Sequence, residues 1–215
     1  TQEADCRKLV EAGVDMVFLP SVSEMYPSGQ VQTLVKAPDM LTTVLEGAQR
    51  PGHFDGVTTV VSKLFNIVQP DVAVFGQKDF QQWRVIQQMA ADLSMPIEII
   101  RAPIERDRDG LALSSRNQYL TAEQRQVAPK LFVTLQDVKA AVLSGNTAYS
   151  QLESAAVQQL LESGFDRVDY VKIVSQQQLS PAGPEDAKLV ILAVARLGAT
   201  RLLDNIALTL TGENT

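Results

Sequence analysis

Two short runs of this 215-residue chain hold residue types suited to binding phosphate. The first is Gly76-Gln77-Lys78-Asp79, which follows the apolar run Val72, Ala73, Val74 and Phe75 and precedes a helical pattern. That order reads as a buried strand, a tight turn and a helix start. A helix N-terminus presents unpaired N–H groups, and Lys78 adds a flexible cation beside them, a combination that suits the phosphates of a nucleotide. Gly76 lets backbone approach a ligand closely, and Asp79 can cap the helix. The same residues also fit a plain turn with a solvated lysine. The second run is Leu113-Ser114-Ser115-Arg116-Asn117, where two hydroxyls, a guanidinium and an amide crowd one loop. These are phosphate-directed donors, although serine and asparagine also favour ordinary turns.

Two further groups could serve the same crevice. Arg50-Pro-Gly-His-Phe-Asp-Gly56 reads as a loop ahead of a helix, in which Arg50 offers a fixed guanidinium for carboxylate or phosphate. His53 either faces the crevice or packs in the loop against backbone. Gln82, in the first turn after Asp79, carries both a donor and an acceptor, as recognition of a small hydroxy acid requires.

Composition removes several classes of chemistry. His53 is the only histidine and Cys6 the only cysteine, which rules out imidazole clusters, a disulfide framework and a cysteine-based zinc site within this chain. A formal charge of −6 argues against a general binder of nucleic acid or anionic membrane. No apolar run is long enough to span a bilayer and no signal-peptide pattern opens the sequence, so the expected setting is cytoplasmic. With 45% apolar and 20% charged residues, the chain can bury a substantial core.

The elements that must position these residues follow from periodicity. Residues 2–12 read as a helix ended by Gly13, 14–19 as a strand, and 31–35 as a half-exposed strand. A short helix is expected over 41–48 and an amphipathic one over 57–68. After the strand at 72–75, a helix to about residue 94 buries Phe80, Trp83, Ile86, Ala90 and Leu93, and 97–100 supplies the next strand. Arg106-Asp-Arg-Asp-Gly110 is a charged turn. Thr121-Ala-Glu-Gln124 opens a helix to about 143 with a capping box, and Pro129 either kinks or splits it. A second helix over 151–163, a strand over 168–174, and strands 188–195 and 200–203 joined at Leu197-Gly198-Ala199 complete a small antiparallel sheet carrying two helices.

Three runs then match a known family in order and separation. Arg50-Pro-Gly-His-Phe-Asp-Gly56, Phe75-Gly-Gln-Lys-Asp-Phe-Gln-Gln82 and Asp109-Gly-Leu-Ala-Leu-Ser-Ser-Arg-Asn117, with Arg201-Leu-Leu-Asp-Asn205 near the end, resemble the pantothenate synthetase (pantoate–β-alanine ligase) family. The resemblance implies an α/β fold, a Rossmann-like nucleotidyltransferase parallel sheet followed by a small α+β domain with an antiparallel sheet, divided here at 1–105 and 106–215. It implies that ATP and pantoate form pantoyl adenylate, which the amine of β-alanine converts to pantothenate with release of AMP, and that Mg²⁺ takes part. Ser114, Ser115 and Arg116 match the family's counterpart of the KMSKS loop, and Lys78 its phosphate-binding lysine. Gly76, Gln77, Lys78 and Asp79 match its ATP-binding turn, and Gln82 its pantoate-binding glutamine. Arg50 matches the loop near the pantoate pocket. Glu105 and Leu113 complete the expected ATP contacts, Glu105 through its backbone. No metal ligand is assigned. The resemblance also suggests a homodimer, with small molecules rather than nucleic acid or membrane as partners.

The family's G-x-x-H-x-G-H stretch and its Asn- and Gln-containing pantoate loop do not occur in these 215 residues. The expectation is therefore a piece of a longer enzyme, without half of its nucleotide site. Two other readings fit the same turns. One is a nucleotidylyltransferase acting on a phosphorylated acceptor, and the other is a nucleotide-binding module without catalysis.

Overall fold

A computed structural model describes residues 2–27, 29 and 32–210. The chain separates into two compact units, Thr1–Leu34 and Val35–Thr215. In the first, α1 (Gln2–Glu11) forms as its composition predicts but buries no residue. A one-turn helix, α2 (Val22–Met25), is started by a capping box between Ser21 and Glu24. The strand expected over 14–19 is absent. Those residues are irregular, and Val14, Met16, Val17, Phe18 and Leu19 are all exposed, with no neighbouring strand among the described residues to take up their backbone groups.

The second unit begins with irregular chain. Of the half-exposed strand expected over 31–35, Val31 lies outside the described residues and 32–35 are not extended into any ladder. The single helix expected over 41–48 is two, α3 (Asp39–Thr42) and α4 (Leu45–Gln49). Leu45, the first residue of α4, is left-handed, with φ of 51°, which no continuous helix accommodates. Next, α5 (His53–Val68) starts four residues earlier than periodicity suggests, so His53 opens the helix rather than lying in a loop.

The strand β1 (Val72–Gly76) leads through a 3₁₀ turn, Gln77–Asp79, into α6 (Phe80–Asp92), and α6 returns to β2 (Glu98–Ala102). β1 and β2 pair in parallel from Val72–Glu98 to Gly76–Ala102. This is a βαβ unit, and its inner face is apolar: the partly buried Ala73, Phe75, Ile97 and Ile99 pack on Val61, Phe65, Ile86 and Met89 of α5 and α6. The expectation of a buried strand is corrected on the other face, where Val72 and Val74 are 44% and 61% exposed. Leu93, expected in the core, lies just past the end of α6 and is exposed.

Beyond the charged turn, α7 (Ala122–Val127) is opened by the predicted box, with the Thr121 hydroxyl accepting from the Gln124 amide. Pro129 splits the helix rather than kinking it, because α8 (Lys130–Leu143) starts at the residue after it, where a missing N–H costs nothing. α9 (Tyr149–Glu162) follows, and then an antiparallel sheet in the order β3 (Arg167–Ser175), β4 (Lys188–Leu197), β5 (Thr200–Thr209). The last strand runs six residues further than 200–203 suggests, paired with β4 along its whole length.

This sheet is buried on both faces. Leu189, Ile191, Ala193 and Ala195 of β4 face α8 and α9, whereas Val190 and Leu192 pack against Phe54, Phe80 and Val85. The near-continuous apolar run of β4 records that double burial. The α/β class is as expected, with a parallel two-stranded sheet and a separate antiparallel one. Among the described residues no helix is long and apolar enough to cross a membrane.

Candidate active site

The packing of Phe54 and Phe80 on β4 brings the start of α5, the start of α6 and the antiparallel sheet together around one pocket of about 460 Å³. Its size suits a small-molecule site. Lys78 and Asp79 enter from the turn after β1, Gln82 from the first turn of α6, Leu113, Ser114, Ser115 and Arg116 from the loop before α7, Arg50 from the end of α4 and His53 from the start of α5. Three stretches far apart in sequence thus supply cations, hydroxyls and an amide to one space.

Local hydrogen bonds shape the serine loop. Ser114 is extended, and its hydroxyl accepts from the Arg116 amide at 3.2 Å. The Asn117 side chain donates to the Ala112 carbonyl at 3.0 Å and so ties the loop back on itself. Ahead of it, Arg106 reaches Asp204 with two hydrogen bonds of 2.6 and 2.9 Å while lying over the Phe132 ring. Gly110 permits this: it has φ of 91°, and a Cβ there would stand 2.6 Å from that ring. Burial pushes the Asp204 carboxyl upward, against the pull of Arg106 and the Asn205 amide.

A second network reaches the pocket through Glu46 and Tyr170. Arg201 forms a two-pronged ion pair with Glu46, both bonds 2.6 Å, and reaches Asp169 at 2.7 Å. Tyr170 donates to Glu46 at 3.0 Å. Burial alone would raise Glu46, but the hydrogen bonds and charge of Arg201 prevail and hold it below the usual carboxylate range. Arg50 Nη1 stands 3.0 Å from His53 Nε2. Partial burial, and then the Arg50 charge, lower the His53 pKa below 6.5 despite the nearby Glu46.

Residues 1–207 match the family profile described as pantoate-beta-alanine ligase. The chain belongs to the pantoate–β-alanine ligase family. It is 60% identical over 210 residues to the pantothenate synthetase of Hydrogenovibrio crunogenus, covering 98% of this chain and 74% of that protein. Its structure is similar to that of pantothenate synthetase from Thermus thermophilus, with a TM-score of 0.89 and 42% identity over 96% of this chain and 74% of that one. The ligase from Francisella tularensis, solved in complex with β,γ-ATP and β-alanine, aligns with a TM-score of 0.74 and 28% identity over 96% of this chain and 69% of that one. The chain is thus an enzyme of the ligase class.

Within this pocket stand nine of the residues singled out from sequence: Arg50, His53, Lys78, Asp79, Gln82, Leu113, Ser114, Ser115 and Arg116. Gly76, Gln77 and Glu105 do not line it. The Glu105 carbonyl accepts from the Leu113 amide at 2.9 Å, and the Gln77 side chain turns away to Asn205. Gly76 is extended with open space where a Cβ would stand, so neither turn geometry nor packing requires a glycine there. Asp79 occupies the cap position of α6, but its side chain makes no capping hydrogen bond.

Sequence reasoning missed Glu46, Gln81, Tyr170 and Arg201. Gln81 is buried, donates to the carbonyls of Leu41 and Val44, and accepts from the Glu46 amide, which holds the backbone around the left-handed Leu45. Its position beside Gln82 carried no signal. For Arg201 a signal existed in the Arg-Leu-Leu-Asp-Asn run, without a role attached.

Proposed function

We propose that this ligase joins pantoate to β-alanine at the expense of ATP, through a pantoyl-adenylate intermediate. The observation that carries the reading is the convergence of Lys78 with Ser114, Ser115 and Arg116 in the same pocket as Arg50 and Gln82. The first set suits a triphosphate and the second a hydroxy acid. The ATP and β-alanine bound to the Francisella relative support the same assignment. In this reading residues 1–105 carry the nucleotide and 106–215 form the C-terminal domain that covers it.

The chemistry follows from charge. A carboxylate oxygen of pantoate attacks the α-phosphorus of ATP, a new P–O bond forms, and the bond to the β-phosphate oxygen breaks with its electron pair leaving on pyrophosphate. Negative charge grows on the phosphate oxygens, and cations already in place stabilise it without reorganising. Lys78 forms no ion pair among the described residues, so its ammonium is available for that role. Arg116 and the serine hydroxyls complete the cradle. The amine of β-alanine then attacks the acyl carbon, AMP leaves, and one amine proton is lost to solvent or buffer. That step needs orientation and protection of a labile mixed anhydride from water.

No group of three His, Cys, Asp or Glu among the described residues forms a metal cage. The donor set fits Mg²⁺ held chiefly by phosphate oxygens and water, with Asp79 the pocket carboxylate not committed to a partner. When bound, the ion would neutralise charge on the leaving pyrophosphate.

Pyrophosphate release from Mg·ATP with pantoate alone tests the reading. Release should require pantoate and no β-alanine, and Lys78→Ala should slow it by about 100-fold or more, as for loss of one preorganised charge donor. Release only when β-alanine is present would overturn the adenylate.

A further inference from the structure

Lys78 is delivered by backbone with little support of its own. It sits in a three-residue 3₁₀ turn between β1 and α6, and neither end of that turn has a side-chain cap. The carbonyls of Gln77 and Lys78 point instead at β5, where the Asn205 side-chain amide donates to both at 2.9 Å. Gln77 returns a bond of 3.3 Å to the Asn205 side-chain oxygen. Asn205 is 1% exposed and does not line the ligase pocket.

The residue before it secures the other phosphate-directed loop. Asp204 accepts from the Asn205 backbone amide at 2.7 Å and takes both hydrogen bonds of Arg106, whose Nη1 also holds the Gly110 carbonyl at 2.9 Å. One dipeptide of β5 therefore ties together the turn that carries Lys78 and the loop that leads to Ser114, Ser115 and Arg116. Two nearby carbonyls repel each other unless donors face them, and a primary amide supplies two N–H groups on one planar head. No shorter or apolar side chain can do this.

We infer that Asn205 is a positioning residue for adenylation: it sets the Lys78 turn relative to the serine loop, so that ammonium and hydroxyls meet the same phosphates. The inference rests on the role given to Lys78 above and adds to it the residue through which the C-terminal sheet controls that role.

The test is made in the full-length gene product, by following pyrophosphate release with Mg·ATP and pantoate in wild type, Asn205→Ala, Lys78→Ala and the double variant, with folding checked by circular dichroism and thermal melting. Asn205→Ala should lower kcat by about 100-fold, the cost of misplacing a group by about an ångström. It should leave the KM for pantoate unchanged, because Arg50 and Gln82 stay in place. In the Lys78→Ala background the same change should cost nothing further, since both act through one ammonium. An unchanged kcat, or an equal loss in both backgrounds, would overturn the inference while leaving the ligase reading intact. If Asn205→Ala does not fold, Asn205→Ser, which keeps one donor, should show an intermediate kcat with the same non-additivity, and wild-type kcat there would also overturn it. Wild type that releases no pantoate-dependent pyrophosphate would overturn the adenylation reading and this inference with it, before any variant is compared.

Discussion

His53, as the chain's single histidine, reports on the pocket from inside it. Partial burial and the Arg50 charge both disfavour its imidazolium, so its proton should leave below pH 6.5 in the folded protein. The sign for stability follows. The unfolded chain binds that proton near its ordinary pKa while the folded chain does not, so stability falls as pH drops through 6.5 and levels off below the folded pKa. A proton NMR titration should give one imidazole curve with a midpoint below 6.5. Arg50→Gln should move it upward without restoring 6.5, because burial is the larger cause. A midpoint above 6.5 in wild type would contradict the geometry, as would one that ignores Arg50.

At the scale of elements, α4 brings Glu46 and the following Arg50 to the pocket while its Gly47 packs end to end against α3. Gly47 is buried, and a Cβ there would stand 1.9 Å from the Thr42 carbonyl oxygen. Backbone cannot yield as a flexible side chain does, so Gly47→Ala must push α4 away from α3. The displaced helix carries Glu46 and leads directly to Arg50. The substitution should destabilise the protein by about 1–3 kcal/mol, in the range of overpacked cores, and should raise the KM for pantoate more than it lowers kcat. Thermal melting and steady-state kinetics together check this. An unchanged melting temperature would show that α3 and α4 can separate freely.

Across the whole compact unit, Arg201 joins α4 to the antiparallel sheet through Glu46 and Asp169, whose side chains are 14% and 1% exposed. For both carboxyls burial is the largest influence and acts upward, but the hydrogen bonds of Arg201, with Arg196 for Asp169, bring the net pKa below the ordinary range. These groups contribute stability above their unfolded pKa, and that contribution is lost as pH falls through the folded values. Arg201→Met removes the cation and leaves the burial, which should cost about 3 kcal/mol at pH 7. The Glu46 pKa should then rise, because its burial is no longer opposed by Arg201, whereas Asp169 keeps Arg196 and moves less, so protonation of Glu46 relieves the variant. Its deficit in melting temperature against wild type should therefore be smaller at pH 4 than at pH 7. A deficit independent of pH would mean that Arg201 acts through packing alone.

Much of this protein was legible in its sequence, and the legible part has a common cause. The capping box at Thr121, the helix break at Pro129 and the hairpin at Gly198 rest on interactions between residues close in the chain, where residue type decides conformation. The phosphate-directed runs were legible for the same reason, since Lys78 and Ser114, Ser115 and Arg116 are dense in donors. Misreadings fell where local preference had to yield to distant partners. The apolar stretch 14–19 has strand composition but no ladder, and the start of α5 was drawn back to His53. Only the tertiary structure decided that Glu46 and Tyr170 line the pocket with Arg201 bonded to Glu46, and that Asn205 holds the carbonyls of Gln77 and Lys78. Those contacts span more than a hundred residues, and their energies depend on burial and on charges that sequence distance does not encode.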